Sequence, residues 1–216
     1  RQMCIRDRLE PYLAAVKELN PEGGVKFYPG SPKLARMLFR PQDRLSAMEL
    51  HPDDSRALAR LFEGDYQVRV TELDGWLSLG AHLPPKEKRG LILVDPPFEL
   101  ENEYQRLADG LIKAYRRFST GTYCLWYPLK KGAPIKDFHE RLQSFEIPKM
   151  LCAELSVRSD RLDGLSGSGL IIVNPPYTLK EELHTLLPHL KTRLAQDRFA
   201  SQRAFWLRGE EKPEDG

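Results

Sequence analysis

The sequence predicts an α/β protein built on a parallel, doubly wound sheet. Two observations carry that reading. Strand-type and helix-type patterns alternate almost throughout the 216 residues, and β-then-α units in succession call for right-handed crossovers that lay helices on a sheet. The run Gly90–Val94 (GLILV) is apolar without a break, as a parallel strand covered on both faces tends to be.

The elements follow in order. Leu9, Tyr12, Leu13, Val16 and Leu19 recur at three-and-four spacing and predict an amphipathic helix, ended by Pro21-Glu22-Gly23-Gly24. Val25–Tyr28 reads as a short extended piece closed by Pro29-Gly30. Ser31-Pro32 reads as an N-cap and a first-turn proline for a helix over Pro32–Phe39. A strand over Arg44–Leu50, a helix from His51 to Phe62, a strand over Gln67–Thr71 and a short helix over Asp74–Leu79 come next. Beyond Gly90–Val94, the spacing of Leu100, Tyr104, Leu107, Leu111, Tyr115 and Phe118 gives the clearest helix. Thr122–Tyr127 is a strand and Phe138–Phe145 lies in a helix. Lys149–Val157 and Gly169–Val173 are strands that pair as a hairpin across the Gly/Ser-rich DGLSGSG. A helix over Leu179–Leu194, a strand over Ala204–Leu207 and the polar tail GEEKPEDG, expected to be disordered, complete the chain.

Composition is that of an ordinary globular protein, 41% apolar and 30% charged. A net charge of +2 demands no polyanion partner by itself. Local basic clusters could still meet one: Lys33/Arg36/Arg40/Arg44, Lys86/Lys88/Arg89, Lys113/Arg116/Arg117 and Lys130/Lys131/Lys136. The ordinary reading of each is a solvated face. Cys4, Cys124 and Cys152 form neither a metal signature nor a disulfide frame, so reduced thiols in the cytoplasm are expected. The histidines have no metal-ligand spacing, and no apolar run reaches membrane-spanning length. No metal, no membrane and a monomer are the expectations.

In doubly wound sheets, ligands bind beyond the carboxyl ends of the strands. Three predicted strands present an acid there: Glu49 after RLSAM, Asp74 after VRVTEL and Asp95 after GLILV. Capping the next helix would also explain each acid taken singly. The third, however, opens Asp95-Pro96-Pro97-Phe98. An exocyclic amine on a nucleobase is a poor nucleophile, because its lone pair is delocalised into the ring. Acceptors that grip both N–H bonds let the nitrogen become tetrahedral as it attacks. A carboxylate supplies one acceptor. The carbonyl of the first proline supplies another and is held still by proline's fixed φ. An aromatic ring can stack on a base taken out of its helix. A second copy, Asn174-Pro175-Pro176-Tyr177, follows GLIIV. Asp95 is the better candidate, since acid-tipped strands precede it and further strands follow. Asn174 is read as a structural strand stop.

The stretches FYPGSPKLARMLFRPQDRLSAMELHPDD, KRGLILVDPPF, YRRFSTGTYCLWYP and SGSGLIIVNPPY together resemble the RlmJ family. Its members are bacterial S-adenosylmethionine-dependent methyltransferases of adenine N6 in 23S ribosomal RNA. The resemblance runs from Leu9 to Leu207. It implies a class I Rossmann-like methyltransferase fold, with a helical insertion over 9–43 and the methyltransferase domain over 44–208. Residues 1–8 are then read as a non-native extension and 209–216 as a disordered tail. The resemblance also implies residue roles. Asp95 is the catalytic acceptor and touches the cofactor, while Pro96 and Phe98 hold and stack the target adenine. Glu49 binds the ribose of S-adenosylmethionine, Asp74 and the Gly75 backbone meet the cofactor's adenine, and Ser31 also touches the cofactor. The family's leading segment, first strand and glycine-rich loop have no counterpart here. A sheet missing its first strand, and a cofactor pocket lacking the part that this loop builds, are therefore expected. Other amino methyltransferases acting on RNA guanine N2, DNA adenine N6 or protein glutamine share [DN]-P-P-[FY]. A non-catalytic RNA-binding fragment is the reading from another class.

Overall fold

The structure, a computed structural model, describes residues 5–209. Residues 1–4 of the expected extension and 210–216 of the expected tail lie outside it. The chain divides into two compact units, one up to Ser78 and one from Leu79.

The first unit holds α1 (Ile5–Glu18), α2 (Ser31–Met37), β1 (Leu45–Glu49), α3 (Pro52–Leu61) and β2 (Val68–Glu72). Helix α1 starts four residues ahead of its clearest apolar spacing. The expected extended piece at Val25–Tyr28 forms no strand. Its backbone is satisfied by one buried side chain instead: Asn20 Oδ1 accepts the N–H groups of Lys26 and Phe27, and Nδ2 donates to Phe27 O and Val16 O. Helix α2 begins one residue earlier than expected, with Gly30 as N-cap and Ser31 inside the first turn. Strands β1 and β2 are parallel, and Glu49 stands beside Glu72 in register. The Gln67 amide donates to Arg40 O and Asp43 O, and Arg36 pairs with Asp65 at 2.6 Å, tying the loop before β1 to the turn before β2.

Helix α4 (Gly75–Ala81) leads on to the second unit. That unit contains β3 (Leu91–Val94), α5 (Glu103–Arg117), β4 (Thr122–Lys130), α6 (Ile135–Gln143), β5 (Met150–Ser156), β6 (Leu165–Val173), α7 (Leu179–Leu194) and β7 (Ser201–Arg208). The strand order is β3-β4-β6-β5-β7. Only β3 and β4 are parallel, and the other three pairings are antiparallel. The parallel arrangement expected from the β-then-α units holds in this unit for β3 and β4, and the β5–β6 pair is the expected hairpin, so the sheet is mixed. The short connection between β5 and β6 can only turn the chain back on itself, since a parallel partner needs a long crossover.

Strand β6 also begins four residues before its predicted start, so LSGSG is strand rather than loop. A Cβ on Gly167 would stand 2.3 Å from Leu155 O, and one on Gly169 would stand 2.1 Å from the Tyr127 ring. These glycines let neighbours approach; they do not make a turn. Strand β4 runs on through Pro128. Beyond the last β3 pairing, Val94 with Leu125, β4 has only β6 beside it, and a strand tolerates proline there. Leu107, Ala108, Leu111 and Ala114 of α5 pack into a core that also holds the buried Tyr123, Leu125, Met150, Leu151, Ile171 and Val173.

Register defines two edges of this sheet. Val94 pairs with Leu125, so Asp95 follows at the carboxyl ends of β3 and β4. Tyr123 pairs with Val173, so Asn174 lies beside the start of β4, at the opposite, amino edge.

Candidate active site

Strand β3 ends where Asp95-Pro96-Pro97 removes successive backbone donors. Asp95 is exposed as a residue, yet its neighbours strip enough water from the carboxyl group to hold its pKa above the ordinary aspartate value. Among the described residues no group donates a hydrogen bond to that carboxylate. Pro96 is buried, and so is Phe98. Phe98 has φ +52°, a left-handed conformation that costs a non-glycine residue about 1–3 kcal/mol. Packing offsets the cost: its ring stands edge-on to Tyr104 at 4.8 Å and to Trp126 at 5.7 Å. Tyr104 is itself fixed by donating its hydroxyl to Pro128 O at 2.7 Å. The ring of Phe98 thus faces inward, and stacking on a base requires it to turn. Sequence reasoning missed Tyr104 and Trp126 as its supports. Their aromatic character was the available signal.

The second copy of the motif is used differently. Asn174 has φ +51°, and its amide donates to Ser119 O and Gly121 O, both at 2.8 Å. Its own carbonyl accepts the Thr122 hydroxyl at 3.1 Å, and its N–H donates to Lys149 O at 3.1 Å. Asn174 is thus engaged by hydrogen bonds at the amino edge, while Asp95, at the carboxyl edge, has no such bond among the described residues.

In the first unit, Glu49 is half-buried at the end of β1, and its Oε1 accepts the His51 N–H at 2.9 Å. Asp74 follows β2 and caps α4, with Oδ1 accepting the Trp76 N–H at 2.8 Å. Each carboxylate keeps a second oxygen without a partner among the described residues, and the Gly75 N–H is likewise open. Two carboxylate acceptors and a backbone donor at adjacent parallel strand ends fit the diol and amine of a nucleoside. Ser31 lies exposed in the first turn of α2.

One buried constellation was not anticipated. The Tyr127 hydroxyl donates to Glu154 Oε1 at 2.8 Å and lies 3.1 Å from His139 Nε2 and 3.3 Å from Cys152 Sγ. Arg203 is ion-paired to Glu154. His139, Cys152 and Glu154 come within 4.8 Å of one another, a spacing suited to metal ligands, but the phenol oxygen stands among all three and bonds to each. Burial holds the His139 pKa down and raises the Cys152 thiol to about 12. These residues come from β4, α6, β5 and β7, so no sequence spacing could reveal the cluster.

Comparison with known proteins bears on this geometry. A family model described as ribosomal RNA large subunit methyltransferase D, RlmJ, matches residues 1–208. The Escherichia coli (strain K12) protein named ribosomal RNA large subunit methyltransferase J is 41% identical over 201 residues, spanning 92% of this chain and 71% of that one. The Haemophilus influenzae protein of the same name is 38% identical over 208 residues, spanning 95% and 74%. The crystal structure of a Legionella pneumophila protein superposes with a TM-score of 0.85 at 36% identity, over 92% of this chain and 73% of that one.

Proposed function

The chain belongs to the RlmJ family of ribosomal RNA large subunit methyltransferases, and from that premise we propose that it transfers a methyl group from S-adenosylmethionine to N6 of an adenine in 23S ribosomal RNA. The observation that supports this most is the Asp95 carboxylate, partly dehydrated, unbonded among the described residues and held at the carboxyl edge by the prolines after it. Such an acceptor is ready for an N–H of the target amine. The Pro96 carbonyl takes the second N–H, and the nitrogen lone pair is freed from the ring. Asp95 need not be a strong base, because the amine loses its proton readily once it is cationic. Phe98, turned outward from Tyr104 and Trp126, stacks on the extruded base.

S-adenosylmethionine supplies an electrophilic methyl group on a sulfonium. Glu49 would hold its ribose hydroxyls, as an acid after the second strand commonly does. Asp74 and the Gly75 N–H would hold its adenine, and Ser31 would touch it. We read residues 9–43 as a helical insertion and 44–208 as a class I Rossmann-like methyltransferase domain. Among the described residues β3 pairs with β4 alone, and its Leu91 and Leu93 are 70% and 49% exposed. That bare apolar strand is where the first strand expected from the resemblance would pair. Reduced thiols and a ribosomal RNA substrate fit a cytoplasmic enzyme, and no described helix is long and apolar enough to cross a membrane.

The test compares wild type with Asp95→Ala in methyl transfer from labelled S-adenosylmethionine to deproteinised 23S RNA. The variant is expected below about a tenth of the wild-type rate, because a hydrogen bond to a charged acceptor contributes about 1.5–3 kcal/mol. A rate above that tenth would contradict the role given to Asp95.

A further inference from the structure

A cluster of basic side chains in the second unit lies away from Asp95. The loop before β3 carries Lys86, Lys88 and Arg89, and the end of α5 carries Lys113, Arg116 and Arg117. The fold brings these two stretches to one edge. Arg117 Nε donates to Leu83 O at 3.1 Å, Gly90 O accepts the Thr122 N–H at 3.0 Å, and Lys113 Nζ lies 3.5 Å from where a Cβ on Gly80 would stand. This is the amino edge, at the starts of β3 and β4. All six cations are exposed, none is ion-paired among the described residues, and Glu87 is the single acid in either stretch. The contrast is with the carboxyl edge, where Lys131 pairs with Asp163 at 3.2 Å and Lys136 with Glu140 at 3.6 Å.

An independent observation marks the same edge. Asn174 anchors to Ser119 and Gly121, in the turn that directly follows Arg117. Three residues on, Tyr177 is 96% exposed. Cations without ion pairs among the described residues and a bare aromatic ring on one edge form the pattern that grips a nucleic-acid backbone and stacks an unpaired base.

We propose that the amino edge of this sheet is a second RNA-contact surface, in which Lys86, Lys88, Arg89, Lys113 and Arg116 hold phosphates and Tyr177 stacks on a base. The identity of the polyanion rests on the methyltransferase reading above. Gly90 and Asp95 are separated by about 17 Å of extended strand at about 3.3 Å per residue. RNA that touches both edges must therefore wrap round the sheet, which a folded ribosomal RNA can do and a short oligonucleotide cannot.

Binding of the chain to deproteinised 23S RNA across a salt series tests this. Lys86→Gln/Arg89→Gln/Arg116→Gln is expected to flatten the slope of log affinity against log salt by about 2–3, since each phosphate contact contributes about 0.7–0.9. The matched triple Lys131→Gln/Lys136→Gln/Arg193→Gln removes the same charge elsewhere and is expected to change the slope by less than about 1. Tyr177→Ala is expected to weaken binding about tenfold at fixed salt, with the slope kept. Equal flattening by the two triples, or no flattening by the first, would overturn the surface. Wild-type affinity for Tyr177→Ala would overturn the stacking. Neither readout needs methyl transfer. Slopes that separate as expected, with no transfer by wild type, would sink the reaction and keep the surface; transfer intact with unmoved slopes would sink the surface alone.

Discussion

Asp95 is a carboxyl group that the fold dehydrates without giving it a donor among the described residues, and its charge therefore costs the folded state something. Its pKa is raised in the fold by desolvation, from an ordinary 3.8. Between those two values the folded chain binds a proton that the unfolded chain has already lost. Stability accordingly falls as pH rises through that window and stays lower above it. Asp95→Asn removes the charge, so it is expected to raise the melting temperature at pH 7 and to leave it unchanged at pH 3. Thermal unfolding at the two pH values checks this, and a shift of equal size at both would show that ionisation is not the cause. The placement of Asp95 was legible in the sequence, because an unbroken apolar run followed by acid and two prolines can only be a strand and its stop. The inward turn of Phe98 was not legible. It depends on a left-handed backbone and on two rings, Tyr104 and Trp126, contributed by α5 and β4.

Strand β6 shows what element-level patterns hide. DGLSGSG has the composition of a loop, yet Leu165 pairs with β4 and Gly167–Gly169 is paired on both sides. Gly169 is there because the Tyr127 ring occupies the space a side chain would take, and that ring cannot retreat without breaking the bonds to Glu154, His139 and Cys152. Gly169→Ala is expected to cost about 2–4 kcal/mol in urea unfolding, through overpacking and lost hydrogen bonds of the buried hydroxyl. A loss under about 0.5 kcal/mol would mean that the ring yields freely, against the close packing expected of a core. Helix boundaries were read to within a few residues wherever apolar spacing was strong, as in α5 and α7. They were read less well in α1, where the turn ahead of Leu9 carries mainly charged residues.

Over the whole molecule, alternation of strand and helix conveyed the α/β class but not the direction of every strand. Direction depends on connection length, and the hairpin between β5 and β6 was the one visible sign that the last part of the sheet turns antiparallel. That turn also separates the two proline motifs, sending Asp95 to one edge of the sheet and Asn174 to the other. The proposed chemistry belongs to the carboxyl edge, and the cations that are unpaired among the described residues lie at the edge opposite. The most direct test of the proposed reaction is the identity of the methylated product. The chain is incubated with labelled S-adenosylmethionine and, separately, deproteinised 23S RNA, duplex DNA and a ribosomal protein extract; each polymer is then digested and its labelled residue identified. N6-methyladenosine from the RNA, with DNA and protein unlabelled, is the expected result. Label in N2-methylguanosine, in DNA or in protein glutamine, with no N6-methyladenosine in the RNA, would contradict it.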